Sequence, residues 1–284
     1  MQLLRSPAAA GLLILGLAFG AVAQDVKRGE YVSMAAGCLG CHTEEKKDAV
    51  AYAGGRALKT PFGTFYGPNI TPHREAGIGA WSEADFVRAM REGRRRDGAN
   101  LFPAFPYPSF TRMSDGDLRD LWAYLRSLPA SSLPSRPHEL GFFFRWRFLI
   151  TIWKWFFFTP GAFTPDAAKS AVLNRGAYLV QALGHCGECH TPRNFLGAPK
   201  QSRLLAGAKL GETAVPNITP TRLKKLGDGE LKEVLRTAMT ADGDVLAESM
   251  AEVVRNTTSQ LTEVDLGAMI AYLRSLPALP DEGK

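Results

Sequence analysis

The sequence predicts an all-α protein made of two tandem copies of one small domain, joined by an aromatic-rich connector. Three observations carry this expectation. A Cys-x-x-Cys-His motif occurs twice, and its histidines, His42 and His190, lie 148 residues apart. Pro68-Asn69-Ile70-Thr71-Pro72 recurs at that offset as Pro216-Asn217-Ile218-Thr219-Pro220, and Tyr124-Leu125-Arg126-Ser127-Leu128-Pro129 recurs as Tyr272-Leu273-Arg274-Ser275-Leu276-Pro277. Three matches at one offset mark an internal repeat. Apolar residues in each half fall at helical spacing, whereas strand-like alternation is scarce.

Residues 1–23 stand apart from the repeat. Arg5, the apolar stretch Ala8–Ala21 and Ala21-Val22-Ala23 form the n-region, h-region and cleavage site of a secretory signal peptide, cut before Gln24. The apolar run is short for a membrane span, and a retained N-terminal anchor is the alternative. Either reading implies export.

The first domain is expected over 24–129. A helix through Tyr31, Val32 and Ala35 leads into the first motif, and a middle helix starts near Ser82. Ser114 caps a terminal helix, with Asp117 three residues on and Leu118, Leu121, Trp122, Leu125 and Leu128 on its apolar face. Pro129 ends it. The second domain, 171–284, repeats the plan. Tyr178, Leu179 and Ala182 precede its motif, a middle helix starts near Asp228, and Thr262 and Asp265 open a terminal helix through Leu266, Met269, Ile270, Leu273 and Leu276.

Between them lies the connector, 130–170. Its start, Ser131–Pro137, is rich in Pro and Ser. From 142 to 158, thirteen of seventeen residues are apolar and ten are aromatic, but Arg145, Arg147 and Lys154 interrupt the run. Such a segment does not span a bilayer comfortably. It suits packing between the domains or against a partner subunit, or contact with a membrane surface through 141–158.

The formal charge of +6 falls to +5 without Arg5. A charge this small is no nucleic-acid signature, although Arg94-Arg95-Arg96 is a local basic run. That run suits a solvated helix end, partner docking or pairing with acidic groups of a cofactor.

The four cysteines fall in Cys38-Leu39-Gly40-Cys41-His42 and Cys186-Gly187-Glu188-Cys189-His190. C-x-x-C-H is the haem c attachment pattern. Each Cys sulfur forms a thioether with a haem vinyl group, and the following His ligates the iron. Two motifs in an exported chain with no other cysteine imply two covalently bound haem c groups. A redox dithiol or a split zinc site are the competing readings. A redox dithiol does not need a His beside each Cys pair. A haem would also supply core that so short a domain lacks.

The C-x-x-C-H motif, a Pro-Asn loop, a Met and a C-terminal helix together resemble class I cytochrome c. The paired arrangement is similar to the cytochrome c subunits of membrane-bound periplasmic dehydrogenases of the alcohol and gluconate type. The resemblance covers nearly all of 24–284. Its most specific segments are Gly184–Asn194, Phe105-Pro106-Tyr107, both PNITP loops and Met250-Ala251-Glu252-Val253-Val254. Relatives of the alcohol dehydrogenase type carry three haems, and this chain has two motifs. The resemblance implies that the carbonyls of Pro68 and Pro216, each 26 residues after its motif His, accept the His Nδ1–H.

Electron-transfer haems commonly take His and Met as axial ligands. In the second half Met250 is the candidate, read as lying in an unpatterned loop and matching the family's Met before Val-Val. Met239 and Met269 are read as core on helix faces. In the first half Met34 precedes Cys38 too closely and Met90 reads as core. Many relatives place a Met where this chain has Phe105, so Met113 is the remaining candidate. His73 is the rival distal ligand. His185 adjoins Cys186 and cannot easily ligate that iron, and His138 belongs to the connector.

Three function classes compete. An electron carrier, or the electron-transfer subunit of a dehydrogenase, needs closed iron sites. A dihaem enzyme needs an open site (peroxidase-like) or a Cys ligand (thiosulfate-oxidising), and no cysteine remains. A sensor needs an output domain. Electron transfer without catalysis is the expectation, in the periplasm, from a dehydrogenase to a downstream cytochrome, quinone or oxidase.

Overall fold

Asp25 opens the first helix by accepting a hydrogen bond from Arg28 N at 3.0 Å. A computed structural model describes residues 24–211 and 213–281; the expected signal peptide, 1–23, lies outside the described residues. Helix α1, Val26–Ala35, ends where Gly37 takes φ 64°, which turns the chain into α2, Cys38–His42. A hairpin follows, β1 (Ala57–Thr60) and β2 (Gly63–Tyr66), paired from Ala57–Tyr66 to Thr60–Gly63. Ser82 and Asp85 form a capping box on α3, Glu83–Glu92. The short α4, Tyr107–Phe110, precedes α5, Asp115–Ser127, whose N-cap Ser114 accepts from Asp117 N at 3.0 Å.

The connector starts on the first half. Its β3, Glu139–Leu140, pairs with β2 as a third strand. A 3-10 turn, Phe142–Arg145, then leads to α6, Phe148–Phe157.

The second half repeats the first. Its elements are α7 (Ala171–Tyr178), α8 (Gly187–His190), β4 (Ala208–Leu210), β5 (Thr213–Val215), α9 (Pro220–Leu223), α10 (Asp228–Thr237), α11 (Glu248–Asn256) and α12 (Glu263–Ser275). In each half the first long helix crosses the last, α1 on α5 and α7 on α12. The crossings are glycine contacts. A Cβ on Gly29 would lie 1.9 Å from the Asp120 carbonyl oxygen, and one on Gly176 would lie 2.0 Å from that of Ala268.

The second half carries one extra residue ahead of its motif. Tyr31 stands seven residues before Cys38, but Tyr178 stands eight before Cys186. A π-helical turn, Leu179–Leu183, closed by Gly184 N to Leu179 O at 2.7 Å, absorbs the extra residue.

The halves meet in a reciprocal interface. Tyr31 donates to Asp265 Oδ2 at 2.6 Å and accepts from Thr262 N at 3.2 Å. Tyr178 donates to Asp117 Oδ2 at 2.5 Å and accepts from Ser114 N at 2.9 Å. Each Asp also binds an arginine of its own half, Arg175 to Asp265 at 2.6 Å and Arg28 to Asp117 at 2.8 Å. This is the residue-for-residue exchange of a twofold contact, made within one chain.

Burial pushes the Asp265 carboxyl upward, but hydrogen bonds from Arg175 and Tyr31 outweigh it and hold the group below its ordinary value. Its stabilising contribution is therefore present at neutral pH. It is lost only as pH falls below the ordinary carboxylate range, through the lowered folded-state pKa. The double variant Tyr31→Phe/Tyr178→Phe is expected to lose about 1.5 kcal/mol or more per hydroxyl, because each serves a charged acceptor. Denaturant unfolding measures it, and an unchanged midpoint would count against the interface.

Three expectations change. The stretch around Met250 is helix α11, not a loop. Met239 lies beyond α10 and is 45% exposed, so it is not core. Most of the connector's rings do not pack between the domains. Phe142, Phe143, Phe148, Trp155 and Phe156 all face outward, Trp155 at 85% exposure.

Candidate haem sites

In each half a short helix sets the two cysteines one turn apart and the histidine beside the second. His42 Nδ1 lies 2.7 Å from the Pro68 carbonyl, and His190 Nδ1 lies 2.7 Å from that of Pro216. A carbonyl only accepts, so Nδ1 carries the proton and the Nε2 lone pair is free. Burial pushes both imidazoles below their ordinary pKa, and the proline carbonyls offset this only in part. At neutral pH each ring is thus the neutral base that a metal requires.

The proline carbonyls are themselves held in place. Asn69 Oδ1 accepts from Thr71 N and Oγ1 at 2.9 and 2.7 Å, and its Nδ2 donates to the carbonyls of Ser131 and Leu133. Asn217 repeats this with Thr219 and with the Leu279 carbonyl at 2.8 Å. Each PNITP loop is thereby tied to the chain beyond its terminal helix. Gly67 runs so close to the first motif that a Cβ would lie 1.8 Å from Cys41 O.

None of the four cysteines is in a disulfide. Burial pushes the Cys38 thiol up to about 11 and that of Cys186 up to about 12, with Cys41 and Cys189 also raised by burial. Redox-active dithiols depend on a lowered thiol pKa, so the local chemistry disfavours that reading. Two unpaired thiols and one oriented, neutral imidazole per half fit haem c attachment.

The candidate sixth ligands differ in setting. Met113 is fully buried at 0% exposure, in the loop between α4 and α5. Met250 is half-buried in the first turn of α11 and packs on the core. Met90 and Met269 are buried on α3 and α12. Phe105 packs its ring on Phe110 at 5.5 Å. His73 Nδ1 accepts from Ala76 N at 3.1 Å and closes a local turn. His138 accepts from Tyr66 N at 3.1 Å, between the rings of Phe65 and Phe102. His185, at φ 36°, sets its ring edge-on to Phe110 across the domain interface. Arg94, Arg95 and Arg96 are exposed and pair loosely with Glu92, Asp97 and Asp85, as a solvated helix end does.

Sequence reasoning missed two inward cations of the connector. Lys154 Nζ donates to the carbonyls of Glu92 and Gly93 and to Asn100 Oδ1, at 2.6, 2.9 and 2.7 Å. Burial lowers its pKa to about 8. Arg147 donates to Asn100 O at 2.6 Å and lies 4.4 Å from the Phe102 ring centroid. Their position inside an aromatic run was the only available signal.

Residues 26–129 match the cytochrome c family. The diheme cytochrome c-type protein of Cereibacter sphaeroides is 40% identical over 266 residues, which is 92% of this chain and 89% of the relative. The fructose dehydrogenase cytochrome subunit of Gluconobacter japonicus is 40% identical over 264 residues, 91% of this chain but 54% of the relative. The gluconate 2-dehydrogenase cytochrome c subunit of Pantoea cypripedii is 36% identical over 287 residues, 94% and 64% respectively. The chain thus spans about half the length of the fructose dehydrogenase relative. With the motif geometry repeated in both halves and kinship along nearly its whole length, the chain belongs to the cytochrome c family, whose domains carry covalently bound haem c.

Proposed function

We propose that this chain is a periplasmic dihaem cytochrome c that takes electrons from a partner dehydrogenase and passes them to a downstream cytochrome, quinone or oxidase. The observation that carries the reading is the duplicated Cys-Cys-His-Pro arrangement, with 2.7 Å between His Nδ1 and Pro carbonyl in each half. Bound haem supplies one-electron chemistry. The chain's own residues do the rest. Cys38, Cys41, Cys186 and Cys189 would attach it, and His42 and His190 would offer Nε2 to its iron. Pro68 and Pro216 fix those rings and raise their basicity. Met113 and Met250 would hold the iron as the second protein ligand of each haem, where a thioether would raise the potential. Closed sites favour electron transfer over a peroxidase-like reaction.

The connector turns most of its aromatic rings to solvent and its cations Arg147 and Lys154 inward, and no Asp or Glu occurs between Leu140 and Pro165. No described helix is long and apolar enough to cross a membrane. Outward Trp and Phe with no acidic neighbours suit the headgroup layer of a bilayer. Trp155→Asp/Phe156→Asp is expected to weaken flotation with anionic vesicles roughly tenfold or more, and unchanged flotation would assign the patch to a protein partner.

Met250→Ala tests the core of the reading. It is expected to open one iron and remove half of the Met-to-ferric-haem charge-transfer band. An unchanged spectrum would place the ligand elsewhere.

A further inference from the structure

The segment that carries Met250 is held from across the domain interface. In α11, Glu252 stands two residues after Met250, about 200° around the helix, so the two side chains leave on opposite sides. Met250 packs on the core, while Glu252 reaches the first half and meets Arg56 Nη2 with Oε2 at 2.6 Å. Both side chains are 18% exposed, so the pair is largely shielded from solvent.

Arg56 is in turn fixed to the first motif. Its carbonyl accepts from Gly67 N at 2.9 Å, and Gly67 is the residue that runs against Cys41 O. Its other terminal nitrogen, Nη1, pairs with Glu45 at 2.6 Å. Beside the pair, α11 lies directly on α2. A Cβ on Gly40 would come 3.4 Å from Glu252 Oε1, and one on Gly37 would come 3.3 Å from Thr257 Oγ1. A second carboxylate also bridges the halves, here through a hydroxyl rather than an ion pair. Ser109 donates to Glu188 of the second motif at 3.0 Å, and Arg193 of the second half holds that carboxylate at 2.5 Å.

We infer that Arg56 is a positioning residue for the second haem. Anchored beside the first motif, it clamps Glu252 and thereby sets how firmly Met250 holds the second iron. The inference rests on the assignment of Met250 as that ligand. It gives the contact between the halves a role beyond cohesion, because the ligand strength of one site depends on a side chain of the other.

The test uses the full-length, haem-loaded chain and imidazole as a competing ligand. Arg56→Gln and Glu252→Gln are each expected to strengthen imidazole binding at the second iron about tenfold, because each strands one member of a shielded ion pair. The first iron should not change. The double variant should add little to either single variant, since both remove the same contact. Arg56→Lys should recover part of the loss, and Glu45→Gln, which spares the Glu252 contact, should change little. Far-UV circular dichroism separates ligand loosening from unfolding. The inference is overturned if both single variants bind imidazole within about twofold of the parent, or if both irons loosen equally. Met250→Ala identifies the second iron by opening it. If that variant keeps the whole charge-transfer band, the ligand assignment itself has failed. If it opens the iron while Arg56→Gln has no effect, only the clamp has failed.

Discussion

A chain carrying Cys186→Ser and Cys189→Ser is expected to lose its second haem and, with it, most of the order of the second half. The helices there, α7, α10 and α12, converge on one face where Leu179, Leu183, Leu231, Leu266 and Met269 are buried. A domain this small buries too little surface by itself, and the cofactor completes its core. The expected cost is the whole stability of that half, on the order of 5 kcal/mol. The first half keeps its own motif but loses the partners of Tyr31, Arg56 and Ser109. Haem content per chain should halve, and limited proteolysis should cut preferentially beyond residue 170. Retention of the full helical signal with one haem would contradict this account of the core.

Gly29→Ala and Gly176→Ala are expected to be among the most damaging single-methyl changes, at about 3 kcal/mol each, the upper end of overpacking costs. The added carbon would meet a backbone carbonyl at 1.9 or 2.0 Å, and no side chain can step aside. The helix pairs would have to separate. Gly267 provides the control on α12, the helix that Gly176 faces. Nothing lies within 4 Å of a Cβ there, so Gly267→Ala should stabilise by up to about 1 kcal/mol through helix propensity. Thermal unfolding of the three variants reads the contrast directly. Equal effects at Gly176 and Gly267 would show that α7 and α12 do not approach as closely as described.

The sequence exposed those parts of the fold that have a strong period or cap. Ser114 and Thr262 mark both terminal helices because each side chain satisfies an orphan backbone donor there, the N–H of Asp117 and of Asp265. The motif and its proline are legible because their spacing repeats. Helix α11 is not, since Ala247 offers no capping side chain and Val254 is its one buried residue. The strand pairs are three or four residues long and half-buried, too short for an alternating pattern to show. The π-helical turn was visible only as a change of repeat offset from 147 to 148 between Tyr31/Tyr178 and the motifs. The Arg56–Glu252 pair joins residues 196 apart, and nothing local to either announces it.

Membership of the cytochrome c family and the paired geometry make one expectation central, that both motifs are loaded. Intact mass spectrometry of the purified chain tests it most directly. The account predicts two haem additions on a chain beginning at Gln24, with no alkylatable thiol at Cys38, Cys41, Cys186 or Cys189. A single haem addition, or free thiols at either motif, would contradict it.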